Sequence, residues 1–209
     1  MTLRLNGSTS GYTEIDAPAA AGSNTLVLPT GNGSAGNILG TDGSGNLSWV
    51  NGRMVQGTSQ ASTSGTSIDF TGIPSWVKRV TVMFQGVSTS GSSNLLIQLG
   101  AGSVTTSGYT SQAVQTSSAP AISTTTSSAG LIISGAFSAT ALYSGCVQVV
   151  TLGSNAWASS GTFLSGTAGN ANFSGGSITL SGTLDRIRIT TVNGTDTFDA
   201  GSINILYEG

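Results

Sequence analysis

The side chains able to do chemistry are few, and four carboxylates, Asp185, Asp196, Asp199 and Glu208, crowd the C-terminal end of the chain. Paired acids are what glycoside cleavage needs, one to protonate the leaving oxygen and one to act as nucleophile or base. There is no histidine, so the Ser-His-Asp and Cys-His arrangements cannot exist within one chain. Asp196 and Asp199 stand in NGTDTFDAG, which reads as a hairpin loop whose acids are turn formers. Their oxygens also make them a weak calcium candidate, although the spacing is not that of a calcium loop. The expectation is therefore no catalytic residues, no cofactor and no other metal site. Cys146 is the single cysteine, which excludes an intrachain disulfide and a four-cysteine zinc site. In GCVQVVTL it is expected to be a small buried apolar residue.

Binding suits this alphabet better than catalysis. Sugars are held by aromatic faces against their C–H surfaces and by neutral hydrogen-bonding groups. Tyr109, Tyr143 and Trp157 lie beside Ser, Gly or Ala and are the glycan-binding candidates. The competing reading for each is packing in the core or in a subunit interface. Trp76, in GIPSWVKRV, is expected to be structural and to cover one end of the fold.

Gly, Ser and Thr make up almost half of the chain and charged residues only 7%. Disordered chains combine low hydropathy with high net charge, whereas here the mean hydropathy is positive and the net charge is -2. A folded protein is expected. From Val80 to Leu184 there is no Asp, Glu, Lys, Arg or His at all. A surface without basic clusters cannot grip phosphates, which argues against nucleic acid as a partner. No apolar run is long enough to span a membrane, and MTLRLNG has no signal-peptide core, so membrane insertion is not expected and folding in a cytoplasm is.

The elements that must position these residues are strands. The arm shows short strand signals at Leu3 to Leu5, Tyr12 to Ile15 and Thr25 to Leu28, too sparse to enclose a core. Three copies winding together would bury Leu5, Tyr12, Ile15, Leu26 and Leu28, which predicts a homotrimer; the alternative is a tail that orders only on docking. Pro29 to Val50 is a glycine-rich hinge whose turns, Asn32-Gly33 and Asp42-Gly43, allow only short strands. The domains are thus expected to be residues 1–50, an attachment and trimerisation arm with its connector, and residues 51–209, a head. Strand signals in the head fall at Arg53 to Gln60, Ser67 to Phe70, Val77 to Gln85, Asn94 to Leu99, Leu131 to Phe137, Gly145 to Leu152, Ala156 to Leu164, Asn172 to Leu180, Asp185 to Val192 and Ser202 to Tyr207.

In VKRVTVMFQ the alternation assigns Val80, Val82 and Phe84 to the core, with Lys78 at the mouth, and in DRIRITTV it assigns Ile187 and Ile189. SINILYEG has hydrophobics on both faces, as a central or interface strand does. Gly100 to Gly130 holds few large groups and is expected to carry one edge strand and long loops. Many short strands with frequent turns and no helical period predict an all-β chain whose head is an antiparallel β-sandwich of jelly-roll type.

The stretch LVLPTGNGSAGNILGTDGSGNLSWV, with MTLRLNGSTSGYTEIDAPAAAGSNTLVLP before it, resembles the N-terminal connector of tail-fibre and receptor-binding proteins of tailed bacteriophages, cyanophages included. The resemblance covers roughly the first fifty residues. It implies an elongated trimeric virion appendage on the tail, assembled in the host bacterial cytoplasm and docked through the arm to other tail or baseplate proteins. With the neutral head, it leads to attachment to a host cell-surface polysaccharide as the expected function, without enzymatic activity. The alternative is a capsid-decorating or cementing protein with no receptor role.

Overall fold

The computed structural model describes residues 3–20, 22–34, 36–52, 54–117, 122–166 and 169–209. They form no helix, and so none that is long and apolar enough to cross a membrane. The chain divides into two compact units, Met1–Gly52 and Arg53–Gly209.

The first unit is built of two hairpins. Strands β1 (Leu3–Asn6) and β2 (Tyr12–Ile15) pair with Leu3 opposite Ile15 and Leu5 opposite Thr13. One face of this ribbon is therefore apolar. The other carries the Arg4–Glu14 ion pair, with the Arg4 guanidinium 4.0 Å above the Tyr12 ring. Tyr12 thus lies on the face opposite Leu5 and Ile15. Strands β3 (Asn37–Thr41) and β4 (Leu47–Asn51) make the second hairpin. Its turn is tied by the Asp42 carboxylate, which accepts from the Ser44 N–H at 2.7 Å and the Asn46 side-chain amide at 2.7 Å. These bonds, the Asn46 amide foremost, hold the Asp42 carboxyl below its usual range.

The strand expected at Thr25 to Leu28 is only a single parallel bridge from Val27 to Asn46. The chains pass so closely there that a Cβ on Gly45 would collide with the Thr25 carbonyl oxygen. No described residue of this unit is buried, and Leu3, Leu5, Ile15, Leu26 and Leu28 are each more than half exposed.

The second unit contains β5 (Met54–Gln56), β6 (Gln60–Ala61), β7 (Ser67–Thr71), β8 (Arg79–Thr89), β9 (Leu95–Ala101), β10 (Ser103–Val104), β11 (Thr110–Thr116), β12 (Ile122–Ser127), β13 (Leu131–Ile132), β14 (Tyr143–Gly153), β15 (Ala156–Ser165), β16 (Asn170–Thr179), β17 (Arg186–Thr191) and β18 (Phe198–Glu208). The larger sheet runs β12-β11-β16-β15-β14-β8-β18-β5, with β6 also on β18. The smaller runs β10-β9-β17-β7, with β13 also on β9. Every strand pair is antiparallel.

One core lies between the sheets, as in a β-sandwich. Val80, Val82 and Phe84 enter it from β8, Ile187 and Ile189 from β17, and Ile203 and Ile205 from β18, which is flanked on both sides. On β8 and β17 these are the faces that the alternation assigned. Trp76 is half-buried at its margin with its ring centroid 5.9 Å from that of Tyr207.

Three expectations need correction. Gly100 to Gly130 holds three strands, β10, β11 and β12. Few large residues are needed because the ladder organises them and the small Ala113 packs against Leu96 and Ile132, on a face of β9 turned away from the main core. The strand expected over Leu131 to Phe137 stops at Ile132. Beyond it Gly135 presses onto the β11–β12 ladder, where a Cβ would collide with the Gln115 nitrogen. Cys146 is exposed, since Val147 and Val149 point inward and the alternation turns Cys146 and Gln148 outward.

Candidate functional site

The three aromatic glycan candidates all lie inside the head. Tyr109, Tyr143 and Trp157 are 4%, 2% and 5% exposed, so their rings pack in the core, the competing reading given for each. The Tyr109 hydroxyl accepts from the Leu99 N–H at 2.7 Å and reaches the Thr105 carbonyl at 3.0 Å. It stands in for a neighbouring strand where the short β10 no longer reaches β9. Burial pushes its phenol up to about 12. Tyr143 stacks on Phe137 at 4.3 Å, its hydroxyl accepts from the Ser138 N–H, and burial raises its phenol too. Trp157 sits on β15 with its indole N–H buried and unpartnered among the described residues.

The acidic loop is likewise committed to the fold. The Asp196 carboxylate accepts from the Ser93 N–H at 3.0 Å and the Asn193 side-chain amide at 2.6 Å. It also fills the space a side chain at Gly91 would need. Asp199 accepts from the Ser88 hydroxyl. Among the described residues no three His, Cys, Asp or Glu side chains converge on a metal position. The remaining acids of the head are matched with arginines: Arg188 with Asp69 at 2.7 Å, Arg186 with Asp185 at 2.8 Å, and Arg79 with Glu208. Hydrogen bonding to its arginine holds the carboxyl of Asp185, and likewise of Glu208, below its usual range.

Several concavities open on the head, one of about 520 Å³ beside the Arg79–Glu208 pair, and two others are lined mainly by neutral groups. A groove of about 670 Å³ on the larger sheet is lined by Tyr109, Thr110, Gln112, Thr126, Ser128 and Gly176 among others. Its lining is mostly hydroxylated, and its one ring, Tyr109, is buried. The other, a cleft of about 510 Å³, opens where the edge strands of the two sheets face each other. One wall is Gln56, Thr58 and Gln60, the other Asp69 and Thr71, with Phe70, Ile73, Ile205 and Tyr207 also lining it. Phe70, Ile73 and Ile205 are buried and Tyr207 half-buried.

Local sequence explains this cleft. Between β5 and β6 the ladder with β18 is interrupted, and the Gly57 N–H donates to the Ile205 carbonyl at 2.7 Å. A Cβ on Gly57 would lie 2.9 Å from the Ile205 side chain, so glycine allows that approach. Across the gap the Gln60 side-chain amide donates to the Asp69 carbonyl at 2.8 Å. The cleft therefore combines an apolar floor and one ring with amides and hydroxyls that both donate and accept, and its carboxylate is neutralised by Arg188. That is the composition of a site for a neutral polyhydroxylated ligand.

No protein family, curated protein or solved structure matches the chain. The cleft draws on positions 56–60, 69–73 and 205–207, which are far apart in the chain. Sequence reasoning missed it because no spacing links them. The one local signal was Gly57 interrupting the first strand run.

Proposed function

We propose that the protein is a non-enzymatic virion appendage of a tailed phage, a homotrimer that attaches to a host surface polysaccharide by several weak neutral sites acting together. The observation that carries the binding role is the seam cleft, with amide and hydroxyl walls over an apolar floor in a head whose described arginines are all paired with acids. The resemblance of the first fifty residues supports the tail location and the docking of the arm to other tail proteins. The arm supports trimerisation on physical grounds: a unit none of whose described side chains is buried, with Leu3, Leu5 and Ile15 bare on one face of a ribbon, gains its core from other copies.

We read the sandwich as a jelly roll. Let β5 with β6, β7, β8, β9, β13, β14, β17 and β18 count as first to eighth. One sheet then runs first, eighth, third, sixth and the other second, seventh, fourth, fifth. The β11–β12 and β15–β16 pairs extend the first of these sheets.

The test is binding of the full chain to purified surface polysaccharide of susceptible cells, with Gln56→Ala and Gln60→Ala as probes of the cleft. The expected result is saturable binding that both substitutions weaken while the melting temperature stays within a few degrees. No binding at high protein concentration overturns the receptor role. Gold-labelled antibody on the capsid shell of particles, with the tail bare, overturns the appendage.

A further inference from the structure

The larger sheet ends in β12, and the other sheet edges of the head are all blunted in ways that β12 is not. Strands β10 and β13 are each two residues long, the β5–β6 edge is interrupted at Gly57, and β7 carries the Asp69–Arg188 ion pair and has its Asp69 carbonyl capped by Gln60. Such devices keep a sheet edge from pairing with another. β12 has six residues, ISTTTS, with no charge, no proline and no bulge. Ile122 at its start is 71% exposed.

The geometry tells which backbone groups are free. A Cβ built on Gly135 meets both the Gln115 nitrogen and the Ser123 oxygen, so these two atoms lie together between β11 and β12. Ser123, Thr125 and Ser127 therefore turn their N–H and C=O toward β11, and alternate residues Ile122, Thr124 and Thr126 turn theirs outward. No described backbone group pairs with that outer edge.

Residues 123–127, Ser-Thr-Thr-Thr-Ser, read the same in both directions. We propose that β12 pairs antiparallel with β12 of a second copy of this chain about a two-fold axis at Thr125, joining two larger sheets into one. In that register Thr124 of one copy exchanges both backbone hydrogen bonds with Thr126 of the other, and Ser123 faces Ser127. The outward threonine side chains meet across strands as Thr–Thr pairs, which favour a sheet. A two-fold contact of one surface with itself must tolerate its own charges, and here there are none. The contact belongs to the head and does not depend on how the arm assembles. Trimers joined in this way become particles of six chains.

Sedimentation of the full chain over a range of concentrations tests this. The expected result is a reversible step that doubles the mass. Thr124→Pro removes an outward N–H that the fold does not use, and Thr126→Lys places like charges on both copies. Each is expected to weaken the doubling by about tenfold or more with the melting curve retained. Mixing Thr126→Lys with Thr126→Glu chains is expected to restore it, which neither variant alone achieves and which misfolding cannot imitate. A mass that never doubles, or a doubling that persists unchanged in Thr126→Lys, overturns the proposal.

Discussion

Replacing Tyr109 by phenylalanine separates a structural role from a binding role at one atom. The ring is retained, so no cavity opens, and the only group lost is the hydroxyl that accepts from the Leu99 N–H at 2.7 Å. Leu99 is fully buried on β9, so its N–H is left without a partner in the core. An orphaned buried donor costs about 1–3 kcal/mol. For a chain of this size each kcal/mol moves the melting temperature by about 2–4 °C, giving an expected fall of about 2–12 °C. Calorimetry and urea midpoints measure it, and polysaccharide binding is expected to stay unchanged. The pH dependence supplies an independent check. The folded phenol is raised from 10.0 to about 12, so the stability it contributes is complete below pH 10 and is lost as pH rises toward 12. The Tyr109→Phe variant has no phenol to titrate, and the gap between parent and variant must narrow over that window. A variant as stable as the parent would refute the role given to the hydroxyl. Lost sugar binding at unchanged stability would restore Tyr109 as a ligand residue.

Gly135→Ala places a methyl against backbone atoms of Gln115, Ser123 and Val114, none of which can swing aside, and is expected to cost about 1–3 kcal/mol by urea denaturation. Asp196→Ala leaves the half-buried Ser93 N–H unpaired and is expected to lower the melting temperature. Neither calcium nor a chelator is expected to move the parent, and a calcium-dependent rise would reinstate the acidic loop as a metal site. Asp185 and Glu208 have lowered folded pKa values, so what their arginine pairs contribute is present above about pH 5 and lost as pH falls through those values. These pairs are exposed, and the acid-induced change is expected to be small and to shrink further in high salt, read from urea midpoints at two pH values.

The legible parts of the fold were those where alternation alone decides. Val80, Val82 and Phe84, or Ile187 and Ile189, leave one choice of face, and the strands around them lie where expected. Tyr109 was illegible because it stands in SGYTS with no periodic neighbours, and what buries it is the distant edge of β9. Strand β11 was illegible for the opposite reason. Its stability comes from two flanking ladders and a packed Ala113, so its own side chains needed no apolar signature. The candidate site shares that difficulty, since it is made by two strand edges failing to meet.

The pairing of the arginines with acids has a consequence for encounter. An arginine paired with an acid projects little field beyond a Debye length, about 8–10 Å in physiological salt, and this holds for each described arginine of the head. These pairs neither steer the head toward a charged envelope nor hold it off one, and an encounter without steering proceeds at about 10⁵–10⁶ per molar per second. Selectivity then rests on how long contact lasts. A particle carrying such heads would sample surfaces at the same pace in dilute and in saline water, and would stop only where enough sites engage together.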